Sequence, residues 1–174
     1  MNKMLDRRGF LTTLGGTLGT SVFAGSLMAR SLSGKQTPSE KTKPAEPPLS
    51  GDMLIQPEEV NKLLQSPGGD KPLVFQVGFH ILYTQAHIPG SEYLGPASKE
   101  DGMALLRKRA ATLSRKSPIV LYCGCCPWSH CPNIKPAYEG LKSMGFSNLK
   151  VMYITENFGT DWVEKGYPVA KGES

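Results

Sequence analysis

From residue 51 onward, short apolar runs alternate with stripes of apolar residues at helical spacing. Four runs carry the β-branched and aromatic content of buried strands: Met53-Leu54-Ile55, Leu73-Val74-Phe75-Gln76-Val77, Ile119-Val120-Leu121-Tyr122 and Leu149-Lys150-Val151-Met152-Tyr153-Ile154. Between the first two, Pro57-Glu58-Glu59 opens a helix with proline at its start and acidic residues in its first turn. Val60, Leu63 and Leu64 are its expected buried stripe. Ser66-Pro67-Gly68-Gly69-Asp70 reads as a turn, and His87-Ile88-Pro89-Gly90 as a tight loop leading to an extended piece at Tyr93-Leu94. Ser98 with Asp101 predicts a capping box for a helix burying Met103, Leu106, Ala110 and Leu113. Ala137, Leu141 and Met144 predict another helix, closed by Gly145 just past its end. A last short helix is expected over 161–165. Strands alternating with helices imply an α/β fold, a mostly parallel sheet of about five strands with helices on both faces.

Residues 1–50 follow neither period. Arg7-Arg8-Gly9-Phe10-Leu11 is followed by a stretch without charge to Ala29, diluted by glycine, serine and threonine. A transmembrane helix wants about 20 predominantly apolar residues. The weaker stretch reads instead as an export signal over 1–30, and its paired arginines resemble the R-R-x-F-L pattern of twin-arginine signals. Asp6 and Thr12 depart from that pattern, and a Sec signal or a retained anchor is the alternative. Ala24 and Ser26 offer a small-residue cleavage site. Residues 31–50, dominated by Ser, Lys, Thr and Pro, read as a disordered linker, leaving 51–174 as the folded domain. The expected location is periplasmic or exported. The export machinery is then a partner, and membrane contact is transient unless the signal is retained.

Charge narrows the partners. The formal net charge is +5, but residues 1–30 hold four basic residues and one acidic, leaving 16 against 14 for the rest. A nucleic-acid surface needs basic residues clustered on the folded part. Arg107-Lys108-Arg109 with Arg115-Lys116 is the nearest case and reads as a solvated helix face, so nucleic acid is excluded.

All four cysteines lie within nine residues, after the third apolar run: Cys123-Gly124-Cys125-Cys126-Pro127-Trp128-Ser129-His130-Cys131. A thiol between a strand end and a helix start faces backbone N–H groups and the positive end of the helix dipole, which stabilises an anion on sulfur. Cys125, Cys126 and Cys131 admit three readings: resolving thiols, disulfide partners, or ligands of a soft metal such as Zn or Cu with His130 added. Pairing Cys125 with Cys126 is disfavoured, since adjacent Cα atoms sit about 3.8 Å apart where a disulfide prefers ~4.4–6.8 Å. The spacing C-x-C-C-x4-C is not the paired C-x2-C pattern of zinc sites.

The chain resembles the rhodanese-like family. The matching residues are the run from Leu73 to Val77, His87-Ile88-Pro89-Gly90, the run ending in Cys123, the helix exit Leu141…Gly145-Phe146 with Asn148, and Trp162 with Gly166-Tyr167-Pro168-Val169. That resemblance implies sulfur transfer through a cysteine persulfide, with Cys123 as carrier or, in an alternative register, Cys126. It implies a pocket at Gly124, Trp128, Ser129 and His130, and auxiliary thiols at Cys125, Cys126 and Cys131. His87 is expected to be scaffold. The partner is a small sulfur-containing substrate or a thiol acceptor, and no cofactor is required. Gln76-Val77-Gly78 stands where the family usually has D-x-R, and no arginine follows Arg115. The absent arginine argues against the phosphatase relatives, which need it to hold phosphate bidentately. Trp162 and Tyr167-Pro168-Val169 are expected to pack back on the domain.

Overall fold

The computed structural model describes residues 51–68 and 71–173. The expected signal and linker lie outside these residues, as do Gly69 and Asp70 of the expected turn. Five strands form one parallel sheet: β1 (Leu54–Ile55), β2 (Leu73–Gln76), β3 (Glu92–Tyr93), β4 (Ile119–Tyr122) and β5 (Leu149–Met152). Their spatial order is β1-β5-β4-β2-β3, so β4 is central. Its four residues are all buried, as a strand covered on both faces requires. Leu73 to Gln76 pair with Ile119 to Tyr122 in register on one side of it, and Ile119 to Leu121 pair with Leu149 to Val151 on the other.

Alternation along the strands sorts side chains onto two faces. Phe75, Leu121, Cys123 and Val151 join one core with α3 (Glu100–Ala111) and α4 (Ile134–Ser143). Val74, Val120, Tyr122 and Met152 join a second core with α1 (Pro57–Gln65) and the aromatic residues Phe158 and Trp162. Met103, Leu106 and Ala110 of α3 and Ile134, Ala137 and Leu141 of α4 are buried at helical spacing. Gly145, at φ +89, closes α4. Its N–H reaches the Lys142 carbonyl and that of Phe146 reaches the Leu141 carbonyl, the paired bonds of a Schellman motif.

The structure departs from the sequence pattern at several points, and Met53 of the first expected strand lies in a 3-10 turn, Gly51–Met53, ahead of β1. Leu63 is 39% exposed, because the contact stripe of the short α1 is narrow and holds only Val60 and Leu64. Ser98 does not cap α3. Its N–H instead donates to Asn133 Oδ1 at 2.9 Å, and the helix starts behind Lys99 with no side-chain cap. An additional helix, α2 (His80–Gln85), follows β2. It has six residues and buries only Tyr83, too short to show a helical period.

The last expected helix is a five-residue π-helical turn, Gly159–Val163. Its Trp162 is 1% exposed. The indole N–H donates to the Pro168 carbonyl at 2.8 Å, and the ring meets Tyr167 edge-on at 5.1 Å and stacks on Phe158 at 5.9 Å. Ala170 and His87 exchange two backbone hydrogen bonds of 2.9 Å, which pins the tail. The expected packing of Trp162 is present, although Val169 stays 38% exposed.

Candidate functional site

Cys123 is the first residue past β4, at the carboxyl end of the central strand, where open α/β sheets place their ligands. The loop returns to the core at Cys131, just before α4. Cys123 and Cys131 are buried, while Cys125 and Cys126 are half-buried. All four are free thiols. Cys123 Sγ lies 3.2 Å from Cys125 Sγ, which lies 3.2 Å from Cys126 Sγ. The sulfurs of Cys123, Cys125 and Cys131 all fall within 4.8 Å of one another. The structure therefore brings three of the four thiols together, and Cys126 touches that group at its edge through Cys125 and Cys131.

Backbone constraints aim these sulfurs. Gly124 adopts φ +83, and a Cβ there would sit 2.9 Å from Phe158 Cβ, so its conformation and its space both call for glycine. A Cβ on Gly78 would meet Cys123 Sγ at 2.7 Å and the Cys123 carbonyl at 2.8 Å. The buried Gln76 fixes the same carbonyl through Nε2 at 3.0 Å, while its Oε1 accepts the Gly78 N–H at 3.1 Å. The Gln76-Val77-Gly78 segment thus holds the strand end and leaves room for sulfur. Asn133 is buried and bifunctional: its amide donates to Cys123 Sγ at 3.3 Å while its carbonyl holds the Ser98 N–H. The role of Asn133 as a sulfur partner was not legible in sequence, where it marks only the start of a helix.

The thiols divide the charge between them. Cys123 is held well above the ordinary thiol range because it donates to Cys125 and Cys131, with burial adding to the effect. Cys125 is drawn down to about 6, chiefly by the Cys123 hydrogen bond. Cys131 is also drawn down, by the same donor against its own burial, helped by the backbone N–H groups of Asn133 and Ile134. Cys126 is pushed up to about 12, first by burial and then by Cys125. The four sulfurs titrate as one coupled set. As the shared donor, Cys123 favours the charged form on Cys125 and Cys131 over its own.

A cavity of about 400 Å³ opens over this end of the sheet. Cys123, Gly124 and Cys125 line it, with Gln76, Tyr122 and Phe158 among its other walls. Among the described residues, no Lys, Arg, His, Asp or Glu lines it. Of the expected pocket residues, Gly124 is in the lining and Trp128, Ser129 and His130 are not. Trp128 is half-buried, with its backbone N–H on the Ile154 carbonyl and its ring 6.0 Å from Tyr153. His130 is exposed, and Nδ1 pairs with Ser129 Oγ at 3.0 Å. Lys135, also at the start of α4, lies on the surface 3.8 Å from Glu139. His87 is fully buried against Tyr83, rings 3.9 Å apart. Its Nδ1–H donates to the Tyr83 carbonyl at 2.8 Å, and Nε2 has no hydrogen-bond partner among the described residues.

No family model and no curated protein matches this chain. Solved structures do match it. The Alr3790 protein of Anabaena superposes with a TM-score of 0.53 at 16% identity, covering 69% of this chain and 94% of that one. The rhodanese-like domain of the same protein, solved by NMR, gives 0.51 at 18% identity over 68% and 79%.

The fold is rhodanese-like.

A thiosulfate sulfurtransferase from Pseudomonas aeruginosa shares it, with a TM-score of 0.51 at 17% identity over 70% of this chain. The match spans 20% of that enzyme. Identities this low carry the fold and no more. Within the rhodanese-like fold, Cys123 follows the central strand and opens a loop with three further thiols, two of which join it in the cluster.

Proposed function

We propose that this chain is a sulfurtransferase-type carrier of sulfane sulfur that works outside the cytoplasm. The observation that carries the reading is the thiol group at the end of β4, which opens into a cavity through Cys123 and Cys125. Cys125 is the entry thiolate, being the more exposed of the two and drawn down to about 6 by Cys123. It attacks the outer sulfur of a persulfide donor R–S–SH, so the donor S–S bond breaks. RS⁻ leaves and Cys125–S–SH forms. Cys123, with its sulfur 3.2 Å away, attacks the outer sulfur of Cys125–S–SH as its own proton passes to Cys125, so the Cys125 S–S bond breaks, Cys125–SH leaves and Cys123–S–SH forms, which then loses its proton to solvent. The persulfide anion rests on Cys123 beside the Asn133 amide.

A cavity lining that holds the Cys125 thiolate and, among the described residues, no cation supports an uncharged or singly charged donor over thiosulfate, whose two charges would find nothing to offset them there. The extracytoplasmic setting rests on Arg7-Arg8 and the weakly apolar stretch behind them. Replacing both arginines by Lys should leave precursor in the cytoplasm, and an unchanged exported yield would reject the twin-arginine route.

The chemistry is tested by mass spectrometry of the reduced protein after incubation with a small persulfide. A one-sulfur adduct is expected on the wild type and on Cys126→Ser. Cys125→Ser should form it far more slowly, and Cys123→Ser should form it without retaining it. An adduct that only Cys126→Ser abolishes would move the nucleophile to Cys126. No adduct on any form would end the sulfur-carrier reading.

A further inference from the structure

The three clustered thiols come from separate points of the chain. Cys123 is held by the strand end, Cys125 by the loop, and Cys131 by the residue pair ahead of α4. Their sulfurs lie within 4.8 Å of one another without any disulfide among them. A thiolate-bound d10 ion sits about 2.3 Å from each sulfur, so three sulfurs in a trigonal plane lie about 4 Å apart. Rotation about the side-chain bonds is enough to reach that spacing from the 3.2 Å seen between Cys123 and Cys125. Donors to sulfur are also in place, with the Asn133 amide on Cys123 and the N–H groups of Asn133 and Ile134 on Cys131. Such outer contacts orient thiolate ligands in metal sites.

We infer that Cys123, Cys125 and Cys131 form a trigonal all-sulfur site for a soft monovalent d10 cation, Cu(I) being the natural case. Three sulfurs suit it better than Zn, whose protein sites are almost always tetrahedral. Cys126 contacts Cys125 and Cys131 but falls outside the set of three sulfurs that all lie within 4.8 Å of one another, and His130 is exposed and engaged with Ser129. Each S–H that ligates releases its proton to solvent, and nothing is oxidised or reduced. The site uses the same thiols as the sulfur carrier, so an ion bound there blocks sulfur loading. The inference itself rests on the sulfur geometry and not on the carrier reading.

The test is an anaerobic titration of the reduced full chain with Cu(I) against a competing chromogenic chelator. One ion per chain is expected, with X-ray absorption showing three sulfurs at about 2.3 Å and no nitrogen or oxygen ligand. Cys125→Ser and Cys131→Ser should each cut affinity by more than the roughly 10–100-fold that loss of an outer contact causes. Cys126→Ser and His130→Ala should keep one ion and the same spectrum. Circular dichroism of each variant separates a lost ligand from a lost fold, and Cys125, half-buried in the loop, is the variant least exposed to that problem. Failure of the wild type to outcompete the chelator, loss of the ion in Cys126→Ser or His130→Ala, or a nitrogen ligand in the spectrum would overturn the inference. Sulfur loading is measured on metal-free protein. Loading without Cu(I) binding therefore overturns this inference alone, and Cu(I) binding without loading overturns the carrier reading alone.

Discussion

Tyr122 and Cys123 are neighbours in sequence and face opposite sides of the sheet. Cys123 joins the side covered by α3 and α4, two helices whose buried residues recur at regular spacing. Tyr122 joins the side closed by α1 and by an irregular tail, where Phe158 and Trp162 supply the bulk. The first side is held by periodic aliphatic packing and ends in a reactive polar group. The second is held by a few large rings fixed by single hydrogen bonds. Tyr122 shows how: its hydroxyl accepts the Ile88 N–H at 3.3 Å and pairs with Ser91 Oγ at 3.2 Å, and burial raises its pKa strongly. Regular packing spreads its energy over many residues, whereas the aromatic side concentrates it in few. The thiol loop can therefore change chemically while the tail keeps the domain closed.

The largest expected effect on stability lies on the aromatic side. Trp162→Ala should lower unfolding free energy by about 3–5 kcal/mol, read from denaturant midpoints at unchanged slope. A loss under about 1 kcal/mol would show that the tail is not part of that core. On the opposite side, Asn133→Ala removes both the donor to Cys123 and the acceptor of the Ser98 N–H. It should cost about 1–3 kcal/mol and shift the thiol titration upward, because Cys123 loses the amide donor that favours its charged form. Trp162→Ala should leave that titration where it is, and a shift there would mean that the two sides are coupled through β4.

Tyr122→Phe should cost about 1–2 kcal/mol, since it leaves the buried Ile88 N–H without its acceptor. Alkylation of Cys125 sharpens the contrast by pH. A thiol with its pKa lowered is thiolate above that value and thiol below it, so the rate should rise as pH climbs through about 6 and level off before the usual thiol range. A profile that rises only at the pH of an ordinary thiol would contradict the charge placement on Cys125. The smallest effect is at Lys135, which lies on the surface beside Glu139. Lys135→Ala should leave stability within about 0.5 kcal/mol and the sulfur-loading rate unchanged, and a slowed rate would place it in the site after all.

The sequence by itself determined the strand-and-helix order, because four apolar runs are long enough to read as buried strands and the stripes on α3 and α4 span several turns. It also placed Cys123 at a strand end and Trp162 in a core, since an apolar run stops at the first and few environments other than a core accommodate the second. It could not read α2, whose six residues fall short of two turns, and it placed the two-residue edge strands β1 and β3 only to within a residue, at Met53-Leu54-Ile55 and Tyr93-Leu94. Only the tertiary structure decided which thiols meet. Along the chain Cys126 is as near to Cys125 as any residue can be and Cys131 is six away, yet Cys131 joins the cluster because α4 brings it back under β4. The same is true of Gln76, Gly78 and Asn133, which reach Cys123 from 47, 45 and 10 residues away. Sulfur chemistry depends on distances of a few ångströms. Such distances are set by parallel crossovers that join remote residues, and no local pattern of polar and apolar positions records them.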